Sequence, residues 1–345
     1  MAAKKVGQVA NTVATIDLVA QTAGVSRATV SRVMNGTARV SPDTERAVRK
    51  AIKKHNFTPN MTARRLAGGR SGLVALVLEE SSEEFFLNPF WGFVVQGFTS
   101  AITDAGMQPV LLIRPKTGSE DSLFASLRIA QVDGLAIFSW HRSVRSFEKL
   151  IPPTMAVVFG GDLGGTDKYP YVDVDNVEGG YLATKHLIKQ GCKNIITITG
   201  DLKLQSGRDR FNGFEHAMSE AGLKIADSHV LHGDYSMAMG EELTRNVLTK
   251  KIKFDGIFAG NDLTAVGAIN VLLQNGIRVP EDVKVVGFDD SPLASRNLPS
   301  LSSIYQPTRE LGAEVARSLV SILEGKKVER KTLSVKLVVR DSSKK

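Results

Sequence analysis

At 345 residues, with 42% hydrophobic and 23% charged residues, the chain is too long for one core and too apolar for wholesale disorder. Its single cysteine, Cys192, excludes a disulfide framework and a cysteine-based zinc site, and no apolar run reaches the ~20 residues of a membrane span. The net charge of +8 is unevenly placed: residues 1–70 hold 13 Lys/Arg against Asp17, Asp43 and Glu45, so all the excess lies in the first fifth of the chain and points to a polyanion partner there.

Residues 1–14 carry Lys4 and Lys5 without an apolar stretch, so they read as a flexible arm and not as a secretion signal; a cytoplasmic protein is expected. Thr15 is suited to cap a first helix, whose Ile16, Val19, Ala20 and Ala23 fall at helical spacing until Gly24 breaks it. Ser26 is the next cap, opening a helix through Met34 that Asn35-Gly36 stops. Ser41-Pro42 starts a third, with Asp43 and Glu45 complementing its dipole and Ala47, Val48, Ala51 and Ile52 forming its inner face. Residues 15–58 therefore predict a small all-α helix-turn-helix domain. On its second helix Arg27 and Arg32 match the bidentate reading of guanine in the major groove of double-stranded DNA, and Ala28 and Thr29 suit a thymine methyl. Thr15, Ser26, Ser31 and Asn35 are short polar groups fitted to phosphate.

The run TIDLVAQTAGVSRATVSRVMNG, then VSPDTERAV and FTPNMTARRLAGGRSGLVALV, resembles the lactose/galactose-repressor family of bacterial regulators. The resemblance implies a hinge helix and linker over residues 59–70, with the helix at Pro59–Ala67, disordered when free, that folds in the minor groove of an operator. Leu66 then matches the wedge inserted at a central base step, with Asn60, Ala63 and Ala67 on the same helix. An apolar wedge beside Arg64 and Arg65 is the composition of a minor-groove kinking device.

Beyond Gly72 strand-length apolar runs recur: LVALVL, PVLLI, GLAIF, MAVVF, NIITITG, GIFAG, VKVVGF and SVKLVV. Amphipathic stretches at Trp91–Ala105, Gly179–Gln190, Phe211–Ala221 and Leu263–Asn275 lie between them, which predicts an α/β sensor domain of parallel sheets. QVDGLAIF and KFDGIFAG hold equivalent places in two successive series, as two similar lobes require. The resemblance extends here to NPFWGFVVQGF, VDVDNVEGGYLATKHL, SGRDRFNGF, DGIFAGNDLTAVGAI, GIRVPEDVKVVGFDDSPLA and LVVRDS, and implies a type I periplasmic-binding-protein-like fold. The expected bilobed domain, 71–345, divides into lobe 1 at about 71–174 and 306–334 and lobe 2 at about 175–305 and 335–345.

By the same resemblance the effector lies between the lobes. Phe90, Trp91 and Tyr235 become aromatic walls, Arg208 a two-bond donor, Asn261, Asp289 and Gln306 partners for hydroxyls, and Asp162 a further polar position. The longer, acidic ESSEEFFLNPF loop departs from the family's usual spacing, and the arrangement looks most like members that sense disaccharides or glucosides. A homodimer is expected, because family members dimerise through their sensor lobes and no apolar heptad follows the last strand. No phosphate-binding loop, zincin motif or nucleophile elbow is present, so no enzymatic activity, cofactor or metal site is expected. The resulting expectation is a repressor released from DNA by a sugar. Alternatives left open are a corepressor-dependent regulator sensing a purine or a phosphorylated carrier protein, and, less favoured, a sugar-binding transport protein.

Overall fold

Three side-chain caps shape the N-terminal helices of the computed structural model, which describes residues 14–35, 40–57, 70–114, 131–141, 147–164 and 168–344. Thr15 accepts the Leu18 N–H ahead of α1 (Ile16–Ala23), Ser26 accepts the Thr29 N–H over the first turn of α2 (Arg27–Asn35), and Ser41 accepts the Thr44 N–H ahead of α3 (Pro42–Lys54). Gly24, at φ 66°, takes the left-handed conformation that ends α1 and turns the chain into α2. Val19, Ala20, Val30, Val48, Ala51 and Phe57 meet in one small core. Residues 1–71 form one compact unit by internal contacts and residues 72–345 a second.

Among the described residues, the second unit is built on two six-stranded sheets. Strands β1 (Leu73–Ser81), β2 (Gln108–Arg114), β3 (Gly134–Phe138), β4 (Ala156–Gly160), β5 (Tyr171–Val174) and β11 (Lys331–Leu333) form the first, in the order β11-β5-β4-β3-β1-β2. Strands β6 (Ile195–Thr199), β7 (Val230–His232), β8 (Gly256–Ala259), β9 (Lys284–Asp289), β10 (Ser302–Tyr305) and β12 (Lys336–Val338) form the second, in the order β12-β10-β9-β8-β6-β7. Among the described residues all pairings are parallel except β10 with β12. Side-chain alternation along β1 feeds two cores: Val74, Leu76 and Leu78 pack on one face of the sheet, Ala75 and Val77 on the other. Both faces of a parallel sheet are thereby covered, which is why its strands read as unbroken apolar runs.

Helices α4 (Ser82–Leu87), α5 (Pro89–Asp104) and α11 (Thr308–Leu323) accompany the first sheet, and α6 (Asn176–Lys189), α7 (Gln205–Glu220), α8 (Met237–Thr249), α9 (Asp262–Gln274) and α10 (Pro292–Arg296) the second. The chain crosses between sheets three times: after β5, after β10 and between β11 and β12. The repeat seen in the sequence has a structural counterpart. Asp133, just before β3, accepts the Gly72 N–H at the start of β1, and Asp255, just before β8, accepts the Lys193 and Asn194 N–H groups at the start of β6. The same carboxylate thus ties the same two strands in each lobe. Where a loop was expected before NPF, β1 runs on to Ser81 and α4 follows, leaving Phe86 and Leu87 exposed. No described helix is long and apolar enough to cross a membrane.

Candidate functional site

Arg27, Ala28 and Arg32 are exposed on α2, while Val30 is fully buried beneath them. Thr29 and Ser31 are half-buried, Ser26 and Thr15 are exposed caps, and Asn35 ends the helix. One face of α2 is therefore spent on the core and the other presents the groups expected to meet DNA. The Arg27 Nε lies 3.1 Å from Asp17 Oδ1, an exposed pair that holds the guanidinium at little energetic cost to its release. Asn60, Ala63, Leu66 and Ala67 lie outside the described residues, as does most of the expected arm.

Between the two lobes of the second unit lies a cleft of about 580 Å³, in the range of small-molecule sites. Phe90, Trp91, Asp162, Tyr235, Asn261, Asp289 and Gln306 all line it. Trp91 is 6% exposed and belongs mainly to the core, where it meets Phe90 and Phe138 edge to face. Trp140, Phe138 and Phe159 were not singled out in the sequence and add to the apolar lining. Asn261 caps α9: its Oδ1 accepts the Thr264 N–H at 3.0 Å and its Nδ2 donates to the Tyr235 carbonyl at 2.8 Å. That bond fixes Tyr235 in a left-handed conformation, φ 70°; Ser139 and Asp289, also in the lining, have φ of 53° and 108°. Non-glycine residues adopt such conformations rarely and at a cost in backbone strain.

The assignment of Arg208 requires correction. Its guanidinium is committed to the Gln205 side chain and the Leu202 and Lys203 carbonyls, and it does not line the cleft. Arg210, two residues on and so on the opposite face of α7, does. Its Nε donates to Asn176 Oδ1 at 2.9 Å, its Nη1 donates to the Gly260 carbonyl at 2.6 Å and lies 3.8 Å from Asp289 Oδ1, and its Cζ sits 3.6 Å from the centre of the Phe288 ring. Gly180 on α6 brings the helices together at this point, since any Cβ there would collide with the Arg210 carbonyl. The signal was present in the sequence: Gly207, Arg210, Gly213, Phe214 and Ala217 make the buried stripe of α7, and an arginine on such a stripe must have partners.

Asp289 accepts from Gln306 Nε2 at 2.6 Å, and Asp173 accepts from the Asp162 and Val174 N–H groups and from Asn176 Nδ2. Burial pushes the Asp173 carboxyl up to about 6 despite these donors. Burial likewise raises Asp289 against the pull of Arg210 and Gln306, and raises Asp262, which also feels the Asp289 charge. Asp162 accepts the Gly164 N–H through its own carboxylate and so partly serves its loop. The lining carries six carboxylates, Glu80, Asp162, Asp173, Asp234, Glu241 and Asp289, against two cations, Lys203 and Arg210. A polyol's hydroxyls can donate to such acceptors, whereas an anionic ligand is opposed by them. No cluster of three or more metal-ligating side chains occurs among the described residues.

Residues 15–60 match the model of bacterial regulatory proteins of the lacI family, and residues 184–343 match a periplasmic binding protein-like domain. The HTH-type transcriptional regulator CelR of Thermobifida fusca is 38% identical over 332 residues, covering 95% of this chain and 98% of that protein. The HTH-type transcriptional repressor PurR of Haemophilus influenzae is 33% identical over 340 residues, covering 96% and 99%. Among solved structures, a CelR–cellobiose complex superposes with a TM-score of 0.75 at 38% identity, over 96% of this chain and all of that one. A lac repressor dimer bound to operator and the anti-inducer ONPF gives a TM-score of 0.81 at 28% identity, over 96% and 99%.

Proposed function

This chain belongs to the lacI family of bacterial regulatory proteins, and from that premise we propose that it is a dimeric repressor released from its operator by an uncharged gluco-disaccharide such as cellobiose. The observation that carries the reading is the cleft itself: an apolar, aromatic-lined space whose charged groups are mainly carboxylates, with Arg210 held between Asn176, Gly260 and Asp289. Hydroxyls find acceptors on several sides, and the aromatic groups suit the apolar faces of sugar rings. The relative at 38% identity, solved with cellobiose, supports the same ligand class. The headpiece supplies the DNA contacts through α2, and residues 59–70, with Leu66 as wedge and Asn60, Ala63 and Ala67 beside it, complete them as a hinge. The protein acts in the cytoplasm, and no reaction is assigned to it.

A thermal-shift panel tests the ligand class. Cellobiose is expected to raise the melting temperature in a concentration-dependent way, because a ligand that binds only the folded state stabilises it by mass action. Cellobiose 6-phosphate and hypoxanthine are expected to leave it unchanged at the same concentrations. Stabilisation by hypoxanthine alone would replace the sugar by a purine and bring back the corepressor reading, which the identity to PurR keeps as its alternative.

A further inference from the structure

Beside the cleft, whose lining includes the neighbouring Glu80, Trp140 and Lys203, His141 follows β3 in the first lobe, and Asp201 follows β6 in the second. The His141 Nδ1 lies 3.5 Å from Asp201 Oδ2, across the cleft, and its Nε2 lies 3.7 Å from Glu80 Oε1 on its own lobe. The backbone N–H of His141 donates to Glu79 Oε2 at 3.3 Å. Both ring nitrogens therefore face carboxylates. A neutral imidazole has one donor and one acceptor, so one of these contacts would set a lone pair against an anion; the imidazolium donates to both.

We propose that His141 is a positioning residue, a latch that holds the two lobes together, with the cleft empty or occupied, by reaching from Glu80 of the first lobe to Asp201 of the second. The effector-affinity part of this inference rests on the reading of the cleft as a sugar site; the latch itself does not. The groups facing the ring are Glu79 and Glu80 from β1 and Asp201 from the opposite lobe, with Lys203 in the lining two residues beyond Asp201. Burial alone would lower the imidazole, but the hydrogen bond and charge of Glu80, with the charges of Asp201 and Glu79, outweigh it and raise it above its ordinary value.

The sign follows from which contacts survive opening. Separating the lobes removes Asp201 from the ring but leaves Glu79 and Glu80, so the closed form binds the proton more tightly than the open one. The latch then contributes fully to closure below the open-form pKa, and its contribution is lost as pH rises through the higher closed-form value. Because the site is partly exposed, the loss of cellobiose affinity between pH 6 and pH 8.5 should be about two- to fivefold. Asp173 and Asp289 titrate in the cleft as well. Their effect is common to parent and variants, so slopes are compared rather than single values.

Two measurements on the full-length protein test the latch. The first is an NMR titration of the His141 ring without sugar: Asp201→Asn should lower its midpoint. The second is calorimetric titration with cellobiose from pH 6 to 8.5. There His141→Gln should flatten the dependence, and His141→Lys, which keeps a cation, should retain parental affinity at pH 6 without the loss at pH 8.5. An unchanged ring midpoint in Asp201→Asn overturns the latch, as does a His141→Gln profile parallel to the parent's. A lowered midpoint in a protein that does not bind cellobiose supports the latch and removes the sugar reading instead.

Discussion

Replacing Arg210 by alanine is expected to abolish the response to cellobiose while leaving sugar-free operator binding in place. Arg210 is 7% exposed and bonded to Asn176 and Gly260, so its truncation leaves Asp289 buried without its cation. Breaking a buried pair from one side costs about 3–5 kcal/mol, which converts to more than a hundredfold in effector affinity if it falls on binding. Asp289, already raised by burial, can take up a proton, so the fold has a way to relax that the binding site does not. Arg210→Met keeps the bulk over the Phe288 ring and guards against simple unfolding, which circular dichroism would report. Arg208→Ala is the contrast: its bonds stay within α7 and the loop just before it, and cellobiose affinity should remain within about threefold of the parent. Equal losses from the two arginines would contradict the placement of Arg210 in the site and Arg208 outside it.

Arg27→Ala is expected to weaken operator binding by about 1–3 kcal/mol and to relax base preference at one symmetric pair of positions. The side chain is exposed at the start of α2, and its partner in the free protein, Asp17, is itself exposed, so little opposes its transfer to a guanine edge. The measurement is anisotropy with single-base operator variants at fixed salt, since affinity for DNA is not interpretable without it. A loss spread evenly over all sequences would make Arg27 a phosphate contact. Cellobiose binding measured without operator should not change, because Arg27 is not among the residues that line the cleft.

The parts of the fold that sequence made legible are those with strong local signals. The caps Thr15, Ser26 and Ser41 located three helices, and the apolar runs located the central strands of both sheets, whose two covered faces remove any polar interruption. The strands left unread are short or polar. β7 and β11 have three residues each, β5 carries the buried Asp173, and β10 is rich in serine whose hydroxyls are satisfied by distant partners such as Asp262 and the Arg340 carbonyl. Such residues are strand-forming only in the tertiary setting. In the cleft, Phe90, Trp91, Tyr235, Asn261 and Asp289 were picked out by motif, and the structure places them in one lining. Trp140, Asp173 and Glu80 were not, because each comes at a strand end or in a loop where no periodicity indicates direction. The arginine error was one of facing: SGRDR offers two arginines, and the stripe of Gly207, Gly213 and Phe214 decides between them.

The repressor reading stands or falls on linkage between sugar and operator. Titrating cellobiose into the complex of the parent protein with a selected pseudo-palindromic operator, at constant salt and followed by anisotropy, should weaken the operator by about 5–150-fold, the range of a 1–3 kcal/mol coupling. Cellobiose affinity measured with and without saturating operator should differ by the same factor, because coupling between two ligands is reciprocal. Tighter operator binding in the presence of cellobiose, or none of either effect, would contradict it.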